Sequence, residues 1–181
     1  MERFGLSPLI RFTLLSLYVA LVLPLPVLAP ESLRPLMVAG LILGLVLVVG
    51  LLSEQVETDA AGLRVRYPGW IRWLLRRSWS MDWADIRALV PVGTSQGGTV
   101  YYLKAADCRH QLLPQRIERF DLFLKLLSER ASISTKGIGR LTPPCTYQLL
   151  AFLAALMVVG ELVSGLAISQ GWISLPASYP G

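Results

Sequence analysis

Three long runs of apolar residues, two of them uncharged and the third with a single charge, constrain this chain more than any other feature. They cover residues 12–29, 36–53 and 147–168. At a rise of about 1.5 Å per residue, helices of these lengths reach roughly 27 to 33 Å, which matches the hydrocarbon thickness of a bilayer. Each run therefore predicts one membrane-spanning helix, and Pro24 and Pro26 are expected to kink the outer end of the first.

The first run also has features of a secretory signal peptide. Arg3 and Arg11 precede it, and Val-Leu-Ala at 27–29 is a small-residue pattern that a signal peptidase can cleave. However, Pro30 would follow the cut, where proline fits poorly, and a second apolar run begins within a few residues. A retained helix is therefore favoured over a cleaved signal.

The basic residues predict the orientation of the chain. Of the 17 Lys and Arg residues, 14 lie between Ser53 and Cys145, two precede the first run, one lies in the turn at 30–35, and none follows the third run. The positive-inside rule then predicts that the N-terminus and the central segment are cytoplasmic and that the C-terminus lies on the far side. Nine acidic residues leave the central segment with a net charge of +5. This charge suits a position beside anionic lipid headgroups and does not require nucleic acid.

The central segment has the residue period of β-strands. Residues 56–67 alternate apolar and charged side chains around an Asp-Ala-Ala-Gly turn, which predicts a hairpin. Further short strands are expected at 76–80, 86–92, 100–104 and 108–113. From about Arg116 the period becomes helical, and one stripe of that helix contains Ile117, Phe120, Phe123, Leu124 and Leu127.

These patterns predict an α plus β membrane protein. Three transmembrane helices would carry an inserted antiparallel β-barrel or sandwich that a helix closes. The expected organisation is a transmembrane hairpin at 1–53, a cytoplasmic domain at 54–132, a linker at 133–146, and a third transmembrane helix with a short tail at 147–181.

Several motifs of the central segment resemble the bacterial pleckstrin-homology-like (PH-like) domains found next to membrane helices. They are a Thr-Asp-x-x-Gly-Leu-x-Val-Arg hairpin at 58–66, a strand led by Trp-Ala-Asp-Ile at 83–86, and a helix with Phe-Asp-Leu-Phe-Leu at 120–124. The resemblance covers about residues 53–132. It implies a barrel capped by a helix that binds lipids, peptides or proteins without a catalytic centre, and it carries over no functional residue.

A stretch rich in tryptophan and arginine lies at 70–79. Trp favours the bilayer interface, and Arg can direct its guanidinium to phosphates while its stem covers apolar surface. The alternative is that Trp73 and Trp79 are core residues and the arginines are only solvated. Membrane-surface or partner binding is predicted for Trp70, Arg72, Trp73, Arg76, Arg77 and Trp79.

Glu161 is the only Asp, Glu, Lys, Arg or His residue inside any of the three runs. An intramembrane carboxylate is costly unless it is paired, protonated or reached by water, so we predict that Glu161, with Gly160 and Ser164, contacts a partner within the membrane. A proton relay is disfavoured because it needs several such groups. Gly40 and Gly44 form a GxxxG motif that predicts close helix packing, within this chain more than between chains.

The rest of the sequence argues against catalysis. His110, Cys108 and Cys145 have no metal-ligand spacing, and the chain has no nucleophile with a placed base. We therefore expect no enzyme activity, no cofactor and no metal.

Three functions stay open. The first is an accessory or assembly factor of a membrane protein complex, the second an anionic-lipid-binding anchor or sensor, and the third a small subunit of a transport complex. The overall architecture is similar to accessory proteins of cyanobacterial thylakoids, including photosystem assembly factors, although no motif carries this likeness. It implies a thylakoid or bacterial plasma membrane.

Overall fold

A computed structural model describes residues 2–74, 78–95, 97–140 and 143–171. The helices are α1 (Pro8–Val22), α2 (Pro24–Leu28), α3 (Arg34–Leu51), α4 (Phe120–Ala131) and α5 (Pro144–Ser169). The strands are β1 (Glu2–Gly5), β2 (Gln55–Thr58), β3 (Gly62–Arg66), β4 (Trp79–Asp82), β5 (Ile86–Gly93), β6 (Thr99–Ala105) and β7 (His110–Leu112).

Three helical segments are long and apolar enough to cross a membrane, by length and composition: Pro8–Leu28, Arg34–Leu51 and Cys145–Ser169. The first segment is broken at Leu23, between α1 and α2. Pro24 follows this break directly, and a proline has no N–H to bond the preceding turn. Leu23 itself keeps helical dihedrals, φ −58° and ψ −39°, and its N–H donates to the Val19 carbonyl at 2.9 Å, so the kink stays a prediction. The first two apolar segments are joined by a tight turn between α2 and α3. In this turn the Leu33 and Arg34 N–H groups both donate to the Pro30 carbonyl at 3.0 Å.

Helix α1 packs extensively against α5 and also contacts α3. The Thr13 hydroxyl is fully buried and donates to the carbonyls of Leu9, at 2.8 Å, and of Tyr147 in α5, at 3.1 Å. On the side of α3, the Tyr18 hydroxyl donates to the Leu41 carbonyl at 2.7 Å. These bonds give polar groups in an apolar environment the partners that they need there.

The strands form two antiparallel sheets, one of β1-β2-β3-β4 and one of β5-β6-β7. The predicted hairpin is present as β2 and β3, and its turn is closed by Asp59, whose carboxylate accepts the N–H groups of Ala61 and Gly62 at 2.9 and 2.8 Å. Strand β1 was not predicted. It precedes the first membrane helix, yet it pairs with β2 and places Phe4 opposite Val56.

Both sheets and α4 share one hydrophobic core. Phe123 of α4 meets Phe4 of β1 edge to face, with ring centroids 5.6 Å apart. All five residues of the predicted helical stripe are buried. Full burial of a large apolar side chain contributes roughly 1.5–3 kcal/mol, so this shared core is the main source of stability of the unit that the sheets and α4 form.

The predicted α plus β class is confirmed, with several differences in detail. Among the described strands, no strand of one sheet pairs with a strand of the other, so a closed barrel is not shown. Helix α4 begins at Phe120 and not near Arg116, because Arg119 has a left-handed φ of 48°. The last strand begins at His110 and not at Cys108, because Cys108 lies in a turn with a φ of 64°.

Candidate membrane-interface and helix-docking sites

The sheets and the membrane helices are joined by very short connections. Only Leu6 and Ser7 separate β1 from α1, and only residues 52–54 separate α3 from β2. The Arg11 guanidinium donates to the Leu52 carbonyl at 3.2 Å, just beyond the C-terminal end of α3. A cation is favourable there because the last carbonyls of a helix are unpaired and carry its negative dipole end. The sheet-proximal ends of α1 and α3 are thus held at the same level.

The segment 68–74, the tryptophan turn, lies against the end of α3. The Pro68 carbonyl accepts the N–H groups of Ile71 and Arg72, at 3.2 and 3.1 Å. Ile71 is only 2% exposed, and its side chain occupies the space that a Cβ on Gly50 would need. The tryptophan turn is therefore fixed to α3 at one buried contact.

The same turn carries two exposed indole rings, of which Trp70 also reaches the Cβ position of Gly50 with the edge of its ring. Trp70 is 50% exposed and Trp73 is 82% exposed, and the Trp73 indole N–H donates to the Trp70 carbonyl at 2.9 Å. Tryptophan is enriched where membrane helices meet water, because its apolar ring and polar N–H suit the headgroup level. The exposed indole rings of the turn therefore have the chemistry that suits a membrane interface.

The predicted residues of the tryptophan- and arginine-rich stretch separate into two groups. Trp70, Arg72 and Trp73 lie together in the tryptophan turn, and all three are exposed. Trp79 lies on β4 and is partly buried against the core, in agreement with the alternative prediction that it is a core residue. Trp73, in contrast, is not a core residue. The predicted residues Arg76 and Arg77 lie outside the described residues.

Glu161 lies toward the sheet-distal end of α5. One of its carboxylate oxygens is shielded from solvent and has no hydrogen-bond partner among the described residues. Ser164 is exposed, and no described atom lies within 4 Å of where a Cβ on Gly160 or Gly165 would stand. The carboxylate is thus flanked by residues that leave open space on the helix surface.

The two glycines of the predicted packing motif differ. A Cβ on Gly44 would overlap the Tyr18 side chain of α1, so this glycine permits close packing of α1 on α3. Around Gly40, no described atom lies within 4 Å of the Cβ position. The motif therefore serves packing within the chain at Gly44 and leaves open surface at Gly40.

Sequence reasoning missed the ionic contacts at the junction. Glu57 of β2 is nearly buried and pairs with Arg3 of β1 at 3.2 Å and with Arg66 of β3 at 3.3 Å. These pairs join the strand before the first membrane helix to the strands after the second. Arg3 and Arg66 are far apart in the sequence, and only the strand register brings them to one carboxylate.

Glu54 is the second acidic group at the junction. Burial raises the pKa of its carboxyl above the usual value, while a hydrogen bond with Tyr67 and the nearby charge of Arg116 lower it. Desolvation is the larger effect, so the pKa of Glu54 is higher in the folded protein than in the unfolded chain.

The described residues define a structural class. They form an α plus β protein in which two small antiparallel sheets and one helix share a core beside three helices long and apolar enough to span a membrane. Among them, no group of three or more His, Cys, Asp or Glu residues is arranged to hold a metal ion.

Comparison with known proteins identifies one family. No family model matches the chain, and no solved structure matches it. A protein of Synechocystis sp. (strain ATCC 27184 / PCC 6803 / Kazusa), named "Uncharacterized protein slr0269", is 40% identical over 181 residues, which cover 97% of this chain and 89% of that protein. The chain belongs to the family of this cyanobacterial protein.

Proposed function

We propose that this protein is a non-enzymatic, membrane-anchored binding module that acts as an accessory or assembly factor of a membrane protein complex. The observation that carries the proposal is the shielded Glu161 oxygen without a hydrogen-bond partner among the described residues. Leaving a buried polar atom unpaired costs about 1–3 kcal/mol. Rotation of the Glu161 side chain toward the open surface beside Gly160 would bring the carboxylate to a hydrogen-bond donor on a partner helix and recover this cost, so the carboxylate favours association.

The surface around Glu161 supports such an association. Gly160 and Gly165 leave open space, and small residues of this kind let the backbones of two membrane helices approach closely. Association of helices in lipid depends on this close packing and on interhelical hydrogen bonds, because lipid tails are as apolar as the side chains. Glu161 and its neighbours offer both.

The attachment of the sheets to the helices supports a scaffold role. Strand β1 continues into α1, and Ile71 packs on Gly50, so the soluble unit is held firmly against the membrane helices. We propose that this unit is a cytoplasmic PH-like domain. Support comes from its sheets of four and three strands and the α4 helix that completes their core. The protein would then hold a partner in the membrane and a partner on the domain at a fixed distance and orientation.

The cyanobacterial relative makes a thylakoid complex a specific client to test, with photosystem assembly as one form of this role. The test is a pull-down of the tagged full chain in mild detergent, followed by mass spectrometry. We expect a stoichiometric membrane complex from the unmodified protein and about tenfold lower recovery with Glu161→Gln, which corresponds to about 1.4 kcal/mol.

The matched control for this experiment is Glu129→Gln, a neutralisation of an exposed glutamate on α4. It should leave recovery of the complex unchanged. Equal recovery with Glu161→Gln and Glu129→Gln, or purification of the chain alone, would count against the accessory-factor role.

A second candidate function is an anionic-lipid-binding anchor or sensor. The tryptophan turn favours it, because Trp70 and Trp73 are exposed beside the end of α3 and Arg72 is exposed between them. Arg72→Glu would then weaken association with anionic lipid, while Glu161→Gln would not affect it. Lipid co-purification and partner co-purification therefore separate the two candidates.

A further inference from the structure

A groove of about 480 Å³ opens between α1 and the edge of the first sheet. This size lies within the usual range of small-molecule sites, about 300–1,000 Å³. The groove has an apolar part on α1 and a polar part next to the sheet. The residues that matter for its chemistry are Gly5, Arg11, Phe12, Leu15, Gln55 and Glu118.

The groove lies at the level where a membrane surface is expected. Arg11 is the last charged residue before the uncharged remainder of the first span, and its guanidinium bonds the carbonyl just beyond the end of α3. Phe12 and Leu15 follow Arg11 in the direction of the apolar segment, and Phe12 is 64% exposed. The polar part of the groove thus adjoins the headgroup region, and its apolar part adjoins the hydrocarbon.

We infer that this groove binds one phospholipid molecule with an anionic, hydroxyl-bearing headgroup, of which phosphatidylglycerol is the simplest example. The phosphate takes the Arg11 guanidinium, a charge-assisted contact that Arg geometry favours. The acyl chains lie along Phe12 and Leu15. The inference depends on the membrane placement in the proposed function but not on the protein partner.

The remaining polar groups favour hydroxyls in the headgroup. Gln55 can both donate and accept hydrogen bonds, and the Glu118 carboxylate accepts them. A bare phosphate headgroup would offer Glu118 only a like charge, although the Arg119 guanidinium, 3.8 Å from Glu118, offsets part of that charge. Glycerol hydroxyls can donate to Glu118 and bond Gln55, so the groove fits an anionic polyol headgroup better than a bare phosphate.

The test is native mass spectrometry of the full chain in detergent, titrated with phosphatidylglycerol or with phosphatidylcholine of the same acyl chains. We expect one phosphatidylglycerol to bind about fivefold more tightly than phosphatidylcholine, the factor for one net hydrogen bond of about 1 kcal/mol, because glycerol hydroxyls can donate to Glu118 and a choline group has no such donor. Arg11→Gln should weaken the binding of both lipids, since both carry the phosphate that Arg11 contacts.

A second variant tests the groove without removing a charge. Gly5 lines the groove, and no described atom lies within 4 Å of its Cβ position, so Gly5→Leu would fill the groove without a clash at Cβ. It should abolish the single tight site for both lipids. Lys125→Gln, on the exposed side of α4, should leave both affinities unchanged.

Equal affinity for the two lipids in the unmodified protein would overturn the inference. So would retention of the tight site in a Gly5→Leu protein that unfolds at the same temperature as the unmodified one. Free glycerol phosphate that binds as tightly as the lipid would show a soluble ligand and overturn the assignment to a lipid.

If Arg11→Gln disrupts folding through its contact with Leu52, the Gly5→Leu result decides alone. Because the groove lies on α1 and Glu161 lies on α5, this result is independent of the pull-down.

Discussion

The two ends of the membrane helices differ in how far the chain covers its own surface. At the sheet-proximal end, Ile71 packs on Gly50 and Arg11 donates to the carbonyl of Leu52. Toward the sheet-distal end of α5, Gly160 leaves open space and Glu161 has a shielded oxygen with no partner among the described residues. At one end, side chains of the same chain thus cover the glycine and pair the charged group; at the other end, the glycine surface is open and a carboxylate oxygen lacks a partner among the described residues.

The largest expected effect comes from loss of the aromatic contact that holds β1. Phe4 is fully buried against Phe123, so Phe4→Ala should lower the free energy of unfolding by about 3–5 kcal/mol. Phe12→Ala, on the exposed surface of α1, is the control and should have little effect. Thermal and denaturant unfolding of the full chain in detergent measure both, and equal losses would show that β1 is not part of the shared core.

The next effect directly compares glycines at the two ends. Gly50→Leu should cost about 1–3 kcal/mol, because its side chain would overlap Ile71 and displace the tryptophan turn, changing the fluorescence of Trp70. Gly160→Leu should leave the unfolding of the isolated chain almost unchanged and reduce only the recovery of a partner. Similar destabilisation by both variants would remove the distinction between a filled and an open surface.

A smaller effect is expected from Glu161 itself. Glu161→Leu replaces a carboxylate that has an unpaired, shielded oxygen, so the isolated chain should become more stable, by about 1–2 kcal/mol. The same variant should lose its membrane partner. Glu31→Leu, at an exposed position in the turn before α3, is the control. A less stable Glu161→Leu protein would show that the carboxylate is satisfied within the chain.

The smallest effect concerns Glu54 and depends on pH. Burial raises the pKa of this carboxyl above its usual 4.5, so the folded state binds the proton more tightly than the unfolded state does. The ionised group therefore destabilises the fold above its folded pKa, and this penalty disappears as the pH falls below 4.5. Glu54→Gln should raise the unfolding temperature at neutral pH and not at acidic pH.

The pKa of Asp59 is shifted in the opposite direction to that of Glu54, so its effect on stability has the opposite pH dependence. Hydrogen bonds from the backbone N–H groups of Gly62 and Ala61 lower the pKa of its carboxyl. Its stabilising contribution is present above the usual pKa and is lost as the pH falls through the folded value. Asp59→Asn should therefore destabilise the protein at neutral pH and have less effect at acidic pH. If Glu54→Gln and Asp59→Asn shift the unfolding temperature in the same direction at neutral pH, the assigned causes are wrong.

Helices and strands whose apolar residues recur with a regular period were predicted well. The three apolar helices, the hairpin around Asp59 and the stripe from Ile117 to Leu127 all follow from a period of two or 3.6 residues. The helix boundaries differ from the prediction by one to four residues, because terminal turns depend on local backbone conformation, such as the left-handed Arg119, more than on hydropathy.

Contacts between distant segments were not predictable in the same way. The residues of β1 contain one core side chain, Phe4, and form a strand because they pair with β2, more than 50 residues further along the chain. Likewise, Trp73 and Trp79 have the same side chain, yet one is exposed and the other packs on the core. No local pattern separates them, since burial depends on where the whole segment lies.

The sequence by itself determined that three segments are long and apolar enough to cross a membrane and that a β-rich unit followed by a helix lies between the second and the third. Hydropathy and residue period are properties of neighbouring residues, so they need no knowledge of the fold. Only the tertiary structure decided that Gly44 and Gly50 are covered while Gly40 and Gly160 are open, and that Arg11 stands at the edge of a groove. These outcomes depend on atoms contributed by residues far apart in the chain, and packing alone brings them together.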